Sequence, residues 1–144
     1  MKYRKADNRI YIRLDKDDEI IASLAAVCLK EKIGSAVFSG IGACDYVVVG
    51  TYVGEKHEYL RHPVKGMLEM TSLNGNVTTM KDGSLHTHAH AMFAYLDGED
   101  MKSVGGHLLT ARICYTGEII MEPTAGPVIG RKHDPRTGIE IWDV

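Results

Sequence analysis

Only one stretch of this 144-residue chain carries the three-and-four spacing of an amphipathic helix; beyond Gly34 almost every segment reads as strand or turn. The helix is expected over residues 17–32. Asp15, Asp17, Asp18 and Glu19 stand where a helix N-terminus favours negative charge and an N-cap oxygen. Ile21, Leu24, Ala25, Cys28 and Leu29 then supply an apolar face that should cover a sheet, and Gly34 supplies a stop. Strands are expected at 9–14, where polar and apolar residues alternate, and at 35–39 and 45–53, joined by the glycine-containing 40–43. Further strands are expected at 58–60, at 67–73 with the asparagines and threonines of 74–80 behind it, and from Leu85. Asp82-Gly83 is a hairpin dipeptide, so the strand ending near Met80 should pair antiparallel with the one that starts at Leu85. A second hairpin is expected about Thr116-Gly117, between 107–115 and 118–122, then a loop over 123–130 and a last strand at 138–143. One main helix flanking about seven or eight strands gives an α+β domain with a mostly antiparallel sheet, residues 1–144 forming a single domain. One helix cannot cover a sheet that large, and the apolar surface left over favours a homo-oligomer.

Composition narrows the function classes. Net charge is −2 and the pI about 6.4, and no basic run exceeds Arg131-Lys132. A chain holding duplex DNA through phosphate contacts needs a basic stripe, so this one offers little by itself, although oligomerisation could assemble a patch. No apolar run approaches a membrane span, and the charged N-terminus has no apolar segment behind it, so no secretory signal is visible and a cytoplasmic location is expected. Cys28, Cys44 and Cys114 are odd in number and widely separated, which fits reduced core thiols better than disulfides or a thiolate metal site.

The chemistry sits in four histidines. His86, His88 and His90 occupy every second position, so a strand projects all three from one face, and His107 follows Gly105-Gly106. Same-face imidazoles at this spacing point to a metal or catalytic site more than to a solvated face.

The order of motifs adds to this. Gly40-Ile-Gly-Ala, the segment from Leu68 to Val77, Asp82-Gly83 followed by His88-Ala-His90, Gly105-Gly-His-Leu, Glu118-Ile-Ile and Asp134-Pro-Arg-Thr-Gly together resemble the plants-and-prokaryotes conserved (PPC) domain, also called DUF296. The resemblance implies an antiparallel sheet flanked by a helix, assembled as a homotrimer. It also implies a DNA-associated or regulatory role, since plant members carry the domain behind AT-hooks; this chain contains no Arg-Gly-Arg-Pro segment. By the same resemblance His88, His90 and His107 are the metal ligands, with His86 as an additional ligand, a neighbouring group or a partly exposed imidazole.

Three neutral imidazoles without thiolate suit zinc, with iron, nickel or copper as other divalent candidates. Three protein ligands leave a coordination position for water or a small-molecule ligand, so a metal-dependent hydrolase or lyase is the alternative to the regulatory module. A polar histidine cluster without metal is the plainest reading. Gly105 and Gly106 are expected to turn the backbone and bring His107 to the strand pair. Glu69 is the candidate acid–base or histidine-orienting group, against simple solvation. Asn74 and Asn76 are read as turn formers, and Asp134, Arg136 and Thr137 as either an anion or subunit contact or a self-bonded turn.

Overall fold

In the computed structural model, which describes residues 1–144, the chain runs β1 (Lys2–Ala6), β2 (Arg9–Leu14), α1 (Ile20–Glu31), β3 (Ala36–Val53), a short 3-10 turn (Gly54–Lys56), β4 (Glu58–Thr79), β5 (Leu85–Asp97), β6 (Asp100–Pro123), β7 (Gly130–Asp134) and β8 (Ile139–Asp143). All eight strands belong to one sheet, antiparallel except for a single parallel bridge between β4 and β7. β3 pairs with β4 and β6, and β5 also pairs with β4 and β6, so these four strands close on one another. Ring closure removes the edges that four long strands would otherwise expose.

The helix begins later than its acidic approach suggested. Asp17 has φ 71° and its N–H donates to the Ile113 carbonyl, so the residues before Glu19 form a turn bound to β6. Glu19 is the N-cap: one carboxylate oxygen accepts from the Ala22 N–H at 2.7 Å, the other from the Ala111 N–H and the Thr110 hydroxyl at 3.1 Å. A single carboxylate therefore starts the helix and ties it to the sheet. The stop is Lys32, at φ 56°, whose N–H returns to the Cys28 and Leu29 carbonyls. Gly34 instead lets Val128 approach, since a Cβ there would lie 2.8 Å from Val128 Cγ2. The buried stripe is Ile20, Leu24, Val27 and Cys28, one step round from the expected face, and Leu29 is left 69% exposed.

The strands are longer than their turn residues implied. Segments 35–39 and 45–53 are one strand, bent by register shifts at Gly40/Gly42 and Cys44/Tyr46. The expected hairpin about Thr116-Gly117 is absent: β6 continues through it, Gly117 pairing with Gly42 on β3 and Leu14 on β2. Between Gly117 and Ile113 three β6 residues stand opposite Ala43 alone, a bulge that turns the strand without reversing it. The reversal occurs instead between Asp97 and Asp100, with Gly98 at φ 67°. The Asp82-Gly83 hairpin forms as expected, and β5 pairs with β4 from Thr79↔Leu85 to Glu69↔Ala94. Charged β1 and the β7 segment carry no clear apolar alternation, and their strand state comes from pairing with β2 and β8.

Leu24, Val27, Leu68, Leu73, Phe93 and Ile119 anchor one core between the helix and the closed strands, each at most 1% exposed. Cys28 and Cys44 lie in it and all three cysteines are unpaired. Burial pushes the Cys28 thiol to about 11 and the Cys44 thiol to about 12, so both stay protonated and inert.

Candidate metal centre

Along β5 the alternation is strict: Ala89, Ala91 and Phe93 are buried in the core, while His86, His88 and His90 take the other face. His107 reaches them because β6 passes from β5 to β3 at that residue, pairing with His90 on one side and Gly50 on the other. The Gly105-Gly106 pair does this without a turn. Both residues are within β6; a Cβ on Gly106, at φ 152°, would lie 2.7 Å from the Gly50 carbonyl oxygen, and one on Gly105 would collide with Met92. Glycine is required here for close strand approach, not for chain reversal.

The ring centroids of His88 and His90 are 5.3 Å apart, of His88 and His107 5.0 Å, and of His90 and His107 5.5 Å. One nitrogen from each ring lies within 4.8 Å of the others. Two ligand nitrogens on a tetrahedral zinc stand about 3.4 Å apart, so small side-chain rotations bring the three into bonding range. Tyr59, from the arm formed by β3 and β4, stacks on His107 at 4.4 Å and fixes that ring. His107 Nδ1 is buried with no hydrogen-bond partner, a lone nitrogen of the kind a metal satisfies. The donor set therefore fits a divalent transition metal.

His86 lies at the edge of this group, 6.4 Å from His88 between centroids and outside the three-nitrogen cluster. Glu69 pairs with Ala94 and is exposed, five β4 positions from Asn74, the partner of His90; that is roughly 15 Å along the strand. Asn74 and Asn76 are not turn residues. They lie within β4 opposite His90 and His88, and Asn76 accepts from Arg131 Nη2 at 3.1 Å and Trp142 Nε1 at 3.4 Å. Asp134, Arg136 and Thr137 bond to one another: Asp134 accepts from the Arg136 backbone and side chain and from the Thr137 hydroxyl, closing the β7–β8 turn. Tyr59, Arg131 and Trp142 are the neighbours that local pattern did not reveal, because each arrives from a strand distant in sequence; Thr78, across the β4–β5 hairpin from His86, meets one of them in Arg131.

Burial lowers the pKa of His86, His88 and His107, and His88 falls to about 4 with His107 and Arg131 adding to the effect. Lowered values hold His88 and His107 in the neutral form that binds metal. The sign for stability follows: a histidine that protonates at about 6.5 unfolded and about 4 folded leaves stability intact above pH 6.5 and costs it as pH falls through that window. We expect metal-free protein to lose about 1–2 kcal/mol from His88 between neutral pH and pH 4, after discounting for partial solvation. Chemical denaturation across that range checks this; a flat profile in wild type, or an unchanged slope in His88→Gln, refutes it.

No helix is long and apolar enough to cross a membrane. Among solved structures, the chain is similar to a protein from Bacteroides thetaiotaomicron described as a "putative dna binding protein", with 26% identity, 99% of this chain and 96% of that one covered, and a TM-score of 0.89. It is similar to a plant- and prokaryote-conserved (PPC) protein from Pyrococcus horikoshii at 29% identity, with 99% and 95% covered and a TM-score of 0.84. A metal-containing protein from Archaeoglobus fulgidus also matches at 29% identity, with 98% and 96% covered and a TM-score of 0.84. No curated protein matches. Residues 1–124 match the Plants and Prokaryotes Conserved (PCC) domain, the PPC domain above; with an antiparallel sheet, one helix and this match along most of its length, the chain belongs to that family.

Proposed function

We propose that this is a metal-binding PPC-domain protein in which His88, His90 and His107 hold a divalent transition metal, zinc by donor chemistry, and which works as a homotrimer in a DNA-associated, regulatory setting. The observation that carries the metal is the convergence of three imidazoles, each with a ring nitrogen within 4.8 Å of the others; in addition, the Nδ1 of His107 is buried and unbonded. A relative described as metal-containing supports it at 29% identity. The DNA association leans on the description of the Bacteroides relative, and the single domain is taken to run over residues 1–144. Self-association is favoured by the outward sheet face, where Tyr11, Val37, Ile41 and Ile120 are each at least 36% exposed beside an open groove of about 670 Å³.

The cluster contains three protein ligands and no carboxylate, which favours an open coordination position and keeps the enzymatic alternative, a hydrolase or lyase, in play. When bound, the metal would supply a Lewis acid at that position.

Elemental analysis of protein purified without a histidine tag tests the reading, with one metal ion per chain expected. A gel-shift titration of the same sample across salt concentrations separates the two functions. Duplex binding that weakens steeply with salt supports the DNA role; metal without any duplex binding at low salt removes it and leaves the alternative. Absence of metal after incubation with zinc overturns the site.

A further inference from the structure

Arg131 is 6% exposed and has no carboxylate within ion-pair distance. Its guanidinium is held wholly by neutral acceptors: Nε donates to Thr78 Oγ1 at 2.8 Å, Nη1 to the Glu140 carbonyl at 2.8 Å, and Nη2 to Asn76 Oδ1 at 3.1 Å. Of the five guanidinium N–H groups, three are thus used, leaving one on each η nitrogen. The Glu140 carboxylate acts on this charge from beyond ion-pair distance and lies 3.5 Å from His133 Nδ1. A buried guanidinium with no carboxylate bonded to it is costly, and proteins ordinarily pair one.

The position of this cation matters as much as its isolation. Thr78 and Asn76, the side chains that hold it, are the β4 register partners of His86 and His88. Partners directly opposite on antiparallel strands share a face, so the guanidinium lies one side chain away from the histidine cluster. Its charge is felt at both His86 and His88, whose pKa values it helps to lower. Trp142, paired with Arg131 across β7 and β8, donates to the same Asn76 oxygen, so the C-terminal hairpin forms one wall beside the cluster.

We infer that Arg131, held by Asn76 and Thr78, is an anion-recognition residue, and that the histidine site takes a small oxyanion, a carboxylate or phosphate, whose charge completes the unpaired guanidinium. A planar fork with an N–H on each η nitrogen matches two oxygens of such a group. The inference rests on the proposed metal site for the ligand's second contact, but the Arg131 contact can be measured without metal.

Isothermal titration of sodium acetate and of inorganic phosphate into metal-free and zinc-incubated protein tests it, with acetamide as the uncharged control. The expected result is saturable binding of one oxyanion at millimolar concentration or tighter, no response to acetamide, and at least a tenfold loss in Arg131→Gln. Acetate binding alone would identify a carboxylate ligand, and phosphate binding alone a phosphate. Failure to take up zinc, with Arg131-dependent anion binding retained, removes the metal reading and keeps this one. No anion binding by wild type in either state, or equal affinity in wild type and Arg131→Gln, overturns it. If Arg131→Gln does not fold, Arg131→Lys keeps the charge and loses the fork; weaker binding there supports the inference, and unchanged affinity overturns it.

Discussion

His88→Ala is expected to lose its metal while keeping its fold. Structural zinc sites with four protein ligands bind with about 10–16 kcal/mol, so one ligand accounts for about 3–4 kcal/mol, a fall of roughly 10²–10³ in affinity. His88 is central to the cluster, its ring within 5.3 Å of both His90 and His107. Its side chain stands on the outward face of β5, so alanine opens no core cavity and the melting temperature of metal-free protein should change little. Chelator competition followed by elemental analysis measures the affinity, with His86→Ala as the comparison. Because His86 lies outside the three-nitrogen cluster, its removal should leave metal bound. Full metal retention in His88→Ala, or equal loss in both variants, would refute this assignment of ligands.

Phe93→Ala should be the most damaging single truncation near the site, destabilising the protein by about 3–5 kcal/mol. The ring is 0% exposed on β5, where its neighbours in register are Met70 on β4 and Val104 on β6. That places it at the closure of the four-strand ring, three residues beyond His90. The loss comes from dispersion contacts and a cavity that two constrained neighbouring strands cannot collapse. Urea denaturation should show a lower midpoint with an unchanged slope. A loss below about 1 kcal/mol would mean the strands relax around the vacancy and that closure is looser than the register implies.

Much of this architecture follows from local pattern. The alternation in Arg9–Leu14 makes β2, Asp82-Gly83 makes the β4–β5 hairpin, and the two-residue period of His86, His88 and His90 places them on one face. Glycines and bulge-forming segments misled in a consistent direction. Thr116-Gly117 and Asn74-Gly75 carry turn chemistry, yet both lie inside strands, because pairing on both sides supplies hydrogen bonds that a turn would otherwise have to provide. The helix boundary moved for a similar reason: the Asp17 N–H found its acceptor on β6, not in a helical turn.

For the site, the chain by itself determined the residue types, the shared face of the strand histidines and, through the resemblance, the choice of His107 as their companion. Periodicity acts over a few residues, and information of that range is carried in the sequence of one strand. Tertiary structure alone decided that β6 crosses from β5 to β3 at His107, that Tyr59 stacks on it, that Glu69 lies elsewhere, and that Arg131 is buried against Thr78 and Asn76, the partners of His86 and His88, with no carboxylate bonded to it. These are contacts between segments far apart along the chain, set by strand register, and register depends on the closure of the whole ring rather than on any one strand's residues.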